Sequence, residues 1–99
     1  MSKTSFRPAE VFHPGEFVRD ELATRGWTQA TLASIIGRPI QVVNRIINGK
    51  KAVTPRTATE LAAAFGTNPE FWLNLQAAYA LFQEAVDFAG IQRRAKEKS

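Results

Sequence analysis

The chain has 99 residues, 44% of them hydrophobic, no cysteine, one histidine and a formal net charge of +4. That length makes one domain with one modest core, and the composition excludes disulfides, thiolate metal sites and, with a lone histidine, a structural zinc site. No apolar run reaches the roughly 18 residues of a membrane span and no signal-peptide core is present, so a cytoplasmic protein with no membrane role and no cofactor is expected.

The punctuation predicts helices throughout. Residues 1–12 (MSKTSFRPAEVF) have no helical period and are expected to be an arm. Pro14 suits a first helical position, and Phe17, Val18, Leu22 and Ala23 give the stripe of a first helix that stops near Gly26. Thr28 is a natural N-cap for a second helix over 29–36, with Leu32, Ala33 and Ile36 inward and Gly37 as its left-handed stop. Pro39 opens a third, with Val43, Ile46 and Ile47 inward and Asn48-Gly49 at its end. Thr54 caps a fourth, with Pro55 at its first position and Leu61, Ala62 and Phe65 buried, ending at Gly66. Asn68-Pro69 starts a fifth and longest helix, expected to run to about Gly90 and to close a domain over 13–90; residues 91–99 read as a polar, basic, frayed tail. No strand-like alternation of useful length appears, so the fold class is all-α.

The positive charge is concentrated. Between Glu21 and Glu60 there is no acid, while Arg25, Arg38, Arg45, Lys50, Lys51 and Arg56 are all basic; residues 60–90 carry four acids and no base. A one-sign block inside a foldable segment suits a polyanion, because lysine and arginine displace the counterions condensed on phosphates. A solvated face that happens to lack Asp and Glu would look the same by charge alone.

What lies inside the block separates the two. Gln29 to Asn48 has the length of a DNA-binding helix-turn-helix unit. Its tight turn needs a glycine, supplied by Gly37, and its close helix approach needs a small residue, supplied by Ala33. Leu32, Ile36, Val43 and Ile46 fall at the spacings of a shared seam. Thr28 and Gln29, at the start of the second helix, are placed to meet a phosphate. Ile40, Gln41, Asn44 and Arg45 are left on the outer face of the third helix, the side that enters a major groove. Lys50, Lys51 and Arg56 flank the following turn and read as phosphate clamps, and Arg38 as a further phosphate contact. The alternative is an ordinary helix–Gly–helix hairpin of a small bundle.

At this point the chain resembles a family. HPGE (13–16), TQATLA (28–33), VNRIINGKKAVTP (43–55) and PEFWLNLQAAY (69–79) are similar to the HigA-type antitoxins within the Xre class of helix-turn-helix regulators, the last block being the more specific. The resemblance implies a five-helix, lambda repressor-like fold, a homodimer, repression of its own operon through a palindromic operator on double-stranded DNA, and a partner: a HigB-type toxin, an mRNA-cleaving ribonuclease of the RelE fold. It implies no enzyme activity. The chain departs from the common pattern at Arg38, Pro39, Ile40 and Val42. Pro39 cannot cap by side chain, and Ile40 and Val42 meet thymine methyls without bidentate hydrogen bonds, so base reading falls mainly to Gln41, Asn44 and Arg45. Two rivals keep the fold: a repressor without a toxin, and a protein-interaction module that has lost DNA binding, for which Ile40 and Val42 are the best support.

His13 reads as an N-cap or packing residue, and Glu16, Asp20 and Glu21 as a solvated face. The fifth helix has two apolar sides. Phe71, Leu75, Ala78, Phe82, Ala85 and Ala89, with Trp72, Tyr79 and Val86 alongside, are expected as core; Leu73, Ala77, Leu81 and Phe88 form a second stripe for a dimer or partner, unless the arm covers it through Phe6 or Phe12.

Overall fold

A computed structural model of the chain describes residues 12–84 and 86–98. They form six helices and, among the described residues, no strand: α1 Pro14–Arg25, α2 Gln29–Ile36, α3 Ile40–Ile47, α4 Pro55–Phe65, α5 Pro69–Phe82 and α6 Phe88–Glu97. The starts of α1, α2, α4, α5 and α6 each have a side-chain cap, from His13, Thr28, Thr54, Asn68 and Asp87. Each such cap satisfies an otherwise orphaned backbone N–H and is worth about 1 kcal/mol. Helix α3 has none: Pro39 precedes it with no side-chain hydrogen bond.

The core gathers Val18 and Leu22 of α1, Leu32 and Ala33 of α2, Val43, Ile46 and Ile47 of α3, Val53, then Ala58, Leu61, Ala62 and Phe65 of α4, and Trp72 of α5. Trp72 is fully buried, donates its indole N–H to Thr67 Oγ1 at 2.8 Å and lies against Phe65 and Phe71. One turn on, Gln76 Oε1 accepts the backbone N–H of Val53 at 2.8 Å. The Trp–Gln spacing of four thus fastens α5 to the core and to the loop after α3. Gly15 answers a different need. A Cβ there would lie inside the van der Waals envelope of the Ile46 and Ile47 carbonyl oxygens, so the start of α1 and the end of α3 touch backbone to backbone.

The first four helices have the expected ends; within them Ile36 is half-buried and Ala23 exposed. The fifth does not run to Gly90. It ends at Phe82, and the stretch read as a frayed tail is helical to Glu97. Of the expected core stripe only Trp72 is buried; Leu75 and Tyr79 are half-buried, while Phe71, Ala78, Phe82, Val86 and Ala89 are exposed, and Ala85 lies outside the described residues. After Tyr79 the helix leaves the core. Local preference then decides, and Asp87 does better as a cap, accepting from the Gly90 N–H at 3.1 Å, than as an interior helical residue. Arg94 and Lys96 fall in the last turn of α6, where they oppose the helix dipole. The expected arm lies outside the described residues except for Phe12, which is exposed.

Candidate nucleic-acid interface

Helices α2 and α3 meet through Gly37, whose φ of 71° is left-handed, and the Arg38 N–H closes the turn onto Ala33 O at 3.0 Å. Leu32, Ala33, Val43 and Ile46 are buried in the seam. Thr28 Oγ1 accepts from the Thr31 N–H and Thr28 O from the Leu32 N–H, both at 3.1 Å, so in the first turn of α2 the Gln29 and Ala30 N–H groups have no intrahelical partner. On the outer face of α3, Ile40, Gln41, Asn44 and Arg45 are all exposed, and with Gln29 they line one open depression of about 340 Å³. Asn44 Nδ2 donates to Gln29 Oε1 at 3.2 Å, and Asn48 Nδ2 donates to Asn44 Oδ1 at 3.2 Å. The expected groove-side residues therefore come together.

Val42 does not join them. It is half-buried against the core, because the turn of α3 that exposes Gln41 rotates its neighbour inward.

The basic block divides into two sets. Arg25 pairs with Glu21, donates to Phe65 O at 2.9 Å and stands over the rings of Trp27 and Phe65. Arg38 Nη1 lies 2.8 Å from Glu60 Oε1, both side chains being 18% exposed, and Arg56 Nε lies 3.3 Å from Glu60 Oε2. Arg38 is therefore not a free phosphate ligand: an acid one residue beyond the block neutralises it from α4. Among the described residues Arg45, Lys50 and Lys51 have no ion pair. Lys50 and Lys51 border a hollow of about 160 Å³ between the loop after α3, the start of α1 and α5, where His13 and Tyr79 meet edge to face.

Two participants were not read from the sequence. Glu60, the acid that bounds the block, signals itself in the sequence only by its i,i+4 spacing from Arg56. Asn48, which ends α3, also stands four residues after Asn44 and bonds it by side chain.

The second apolar set is split. Leu73 is half-buried against the core, and Ala77, Leu81 and Phe88 are exposed, Leu81 by 75% and Phe88 by 71%. Phe82, Val86 and Ile91 are exposed as well. No helix among the described residues is long and apolar enough to cross a membrane.

Comparison with known proteins agrees with this geometry. The Helix-turn-helix family model HTH_3 matches residues 18–72. Antitoxin HigA-1 of Vibrio cholerae is 42% identical over an alignment of 100 residues, covering all of this chain and 85% of the relative. A solved addiction module antidote protein of the HigA family from Coxiella burnetii superposes with a TM-score of 0.73 at 38% identity, over 91% of this chain and 95% of that one. The structure of Pseudomonas aeruginosa antitoxin HigA with the higBA promoter matches at TM-score 0.70 and 30% identity, over 91% and 96%.

Proposed function

Because the chain belongs to the helix-turn-helix family, among antitoxins of the HigA type, we propose that it is a dimeric autorepressor that binds a palindromic operator and neutralises a HigB-type ribonuclease toxin. The carrying observation is an exposed polar face of α3 that includes the unpaired Arg45, followed directly in the chain by the unpaired Lys50 and Lys51. Gln41, Asn44 and Arg45 would read base edges in the major groove, while Gln29 and the amides at the start of α2 would hold one phosphate. Lys50 and Lys51 would meet the backbone beyond α3. Arg38 and Thr28 contribute by holding the frame, while the exposed Arg56 shares Glu60 with Arg38 and would still meet the DNA backbone. The solved relative with the higBA promoter supports DNA as the ligand.

A palindromic site asks for a two-fold protein, and the exposed Ala77, Leu81 and Phe88 surface offers an apolar face remote in sequence from the reading helix. The proposed protein has no catalytic role. With Val42 turned inward, only Ile40 still supports the interaction-module rival.

The test has two arms. The purified chain is titrated onto a duplex of its own promoter and onto a scrambled duplex; equal affinity for both would sink sequence-specific repression. The small reading frame beside its gene is expressed with and without it. Growth arrest relieved by this chain is the expected result, and a neighbour that is not toxic would leave a plain repressor.

A further inference from the structure

Three side-chain amides stand in a row across α2 and α3. The row runs Asn48 to Asn44 to Gln29, each nitrogen donating to the next oxygen at 3.2 Å. An amide row of this kind fits equally well in the reverse direction, since turning all three groups over exchanges every donor for an acceptor at unchanged positions. The direction is chosen by what meets its open end. A phosphate oxygen only accepts, so at Gln29 it must face Nε2, and Oε1 is then turned inward toward Asn44.

We propose that the Asn48–Asn44–Gln29 row is a positioning device: the phosphate contact at the start of α2 fixes the amide orientation of Asn44 and so commits that residue to adenine. The inference rests on the reading that α3 enters the major groove, and adds to it a base for Asn44 and a role for Asn48. Asn44 spends one N–H on Gln29 and one lone pair on Asn48. One N–H and one lone pair remain, the two that N7 and N6 of adenine require. Turned over, Asn44 presents them in the opposite order. Asn48 supplies the donor that holds the Asn44 oxygen; without it one anchor of the orientation is gone. In the free protein Asn44 and Asn48 are exposed, so the row adds little to stability. Once DNA excludes water, an amide facing the wrong way leaves unpaired polar groups and costs binding.

The experiment is binding-site selection from randomised duplexes, with affinity on the native promoter, for the full chain and four variants. Asn48 has φ −88° and ψ 6°, which alanine adopts freely, so Asn48→Ala removes the amide without straining the turn. Asn44→Ala is expected to erase an adenine preference at one operator position, on the order of tenfold for a good bidentate contact. Asn48→Ala is expected to weaken preference at that same position with an unchanged melting temperature and salt dependence. Gln29→Ala should lose both that preference and affinity for every sequence. Gln29→Glu keeps the acceptor for Asn44 and repels phosphate, so it should bind every sequence more weakly yet keep the adenine preference. The proposal is overturned if Asn48→Ala and Gln29→Ala retain the full preference, if Gln29→Glu loses it as the alanine variant does, or if Asn44→Ala relaxes no position. In that last case Gln41→Ala and Arg45→Ala still judge the groove reading separately; an unmodified chain that does not bind duplex DNA would remove both.

Discussion

Salt dependence distinguishes the two sets of basic residues. Arg25 pairs with Glu21, Arg38 and the exposed Arg56 share Glu60, and Arg45, Lys50 and Lys51 have no acid partner, so the acid-free block offers three unpaired cations per protomer to neutralise phosphates. Each neutralised phosphate contributes about 0.9 to the slope of log affinity against log salt, so a dimer using three per protomer has a slope near 5, and one using all six a slope near 11. Between 50 and 200 mM salt the first loses about 10³ in affinity and the second more than about 10⁶. Lys50→Ala removes two contacts per dimer and should lower the slope by about 1.8. Arg38→Ala should leave the slope alone and instead cost about 1 kcal/mol of stability, a fall of roughly 4–8 °C in melting temperature, because it breaks a largely shielded ion pair. Fluorescence anisotropy across a salt series, with a thermal melt of each variant, measures both quantities. A slope that drops as far for Arg38→Ala as for Lys50→Ala would refute the division, because Arg38 would then leave Glu60 on binding.

Gln41→Ala should relax base preference at one operator position by about 1–3 kcal/mol while leaving non-specific affinity nearly intact; Arg45→Ala should relax a separate position by a similar amount and, because it also removes an unpaired cation, weaken binding to every sequence, both read by site selection. Leu81→Glu or Phe88→Glu should shift the protein to a monomer by light scattering and weaken operator binding while the protomer keeps its helical signal, since both side chains are exposed in the protomer; an unchanged mass would take this surface out of the dimer. Gly15→Ala should lower stability by more than about 1 kcal/mol in chemical denaturation, because its Cβ meets backbone oxygens that cannot swing aside. Trp72→Ala should cost about 3–5 kcal/mol and leave the chain largely unfolded at 37 °C; a stable variant would show that α5 is not what closes the core.

The first four helices were legible because their ends are written locally: Pro14 and Pro55, the caps Thr28 and Thr54, and Gly26, Gly37 and Gly66 each act within a few residues. The outward set on α3 followed from helical period alone. The end of α5 was not legible in this way, since it depends on where the helix stops touching the core, and a periodic apolar stripe does not say which of two apolar sides will do so. The pairing of Arg38 is hidden from the sequence for a related reason. Its partner is 22 residues away on another helix, and only the fold brings Glu60 within reach. Val42 failed on a matter of angle: one position from an exposed residue on a short helix is enough to turn a side chain inward.

The outermost helix has a consequence of another kind. Of the residues of α6 only Gly90 is buried, so almost nothing in that helix is constrained by the core. A lineage could therefore change which copies pair through residues 88–97 while keeping the core and the lettering of α3 unchanged. Two duplicated copies of such a gene could therefore diverge first at this end, ceasing to mix with one another while still answering to the same promoter.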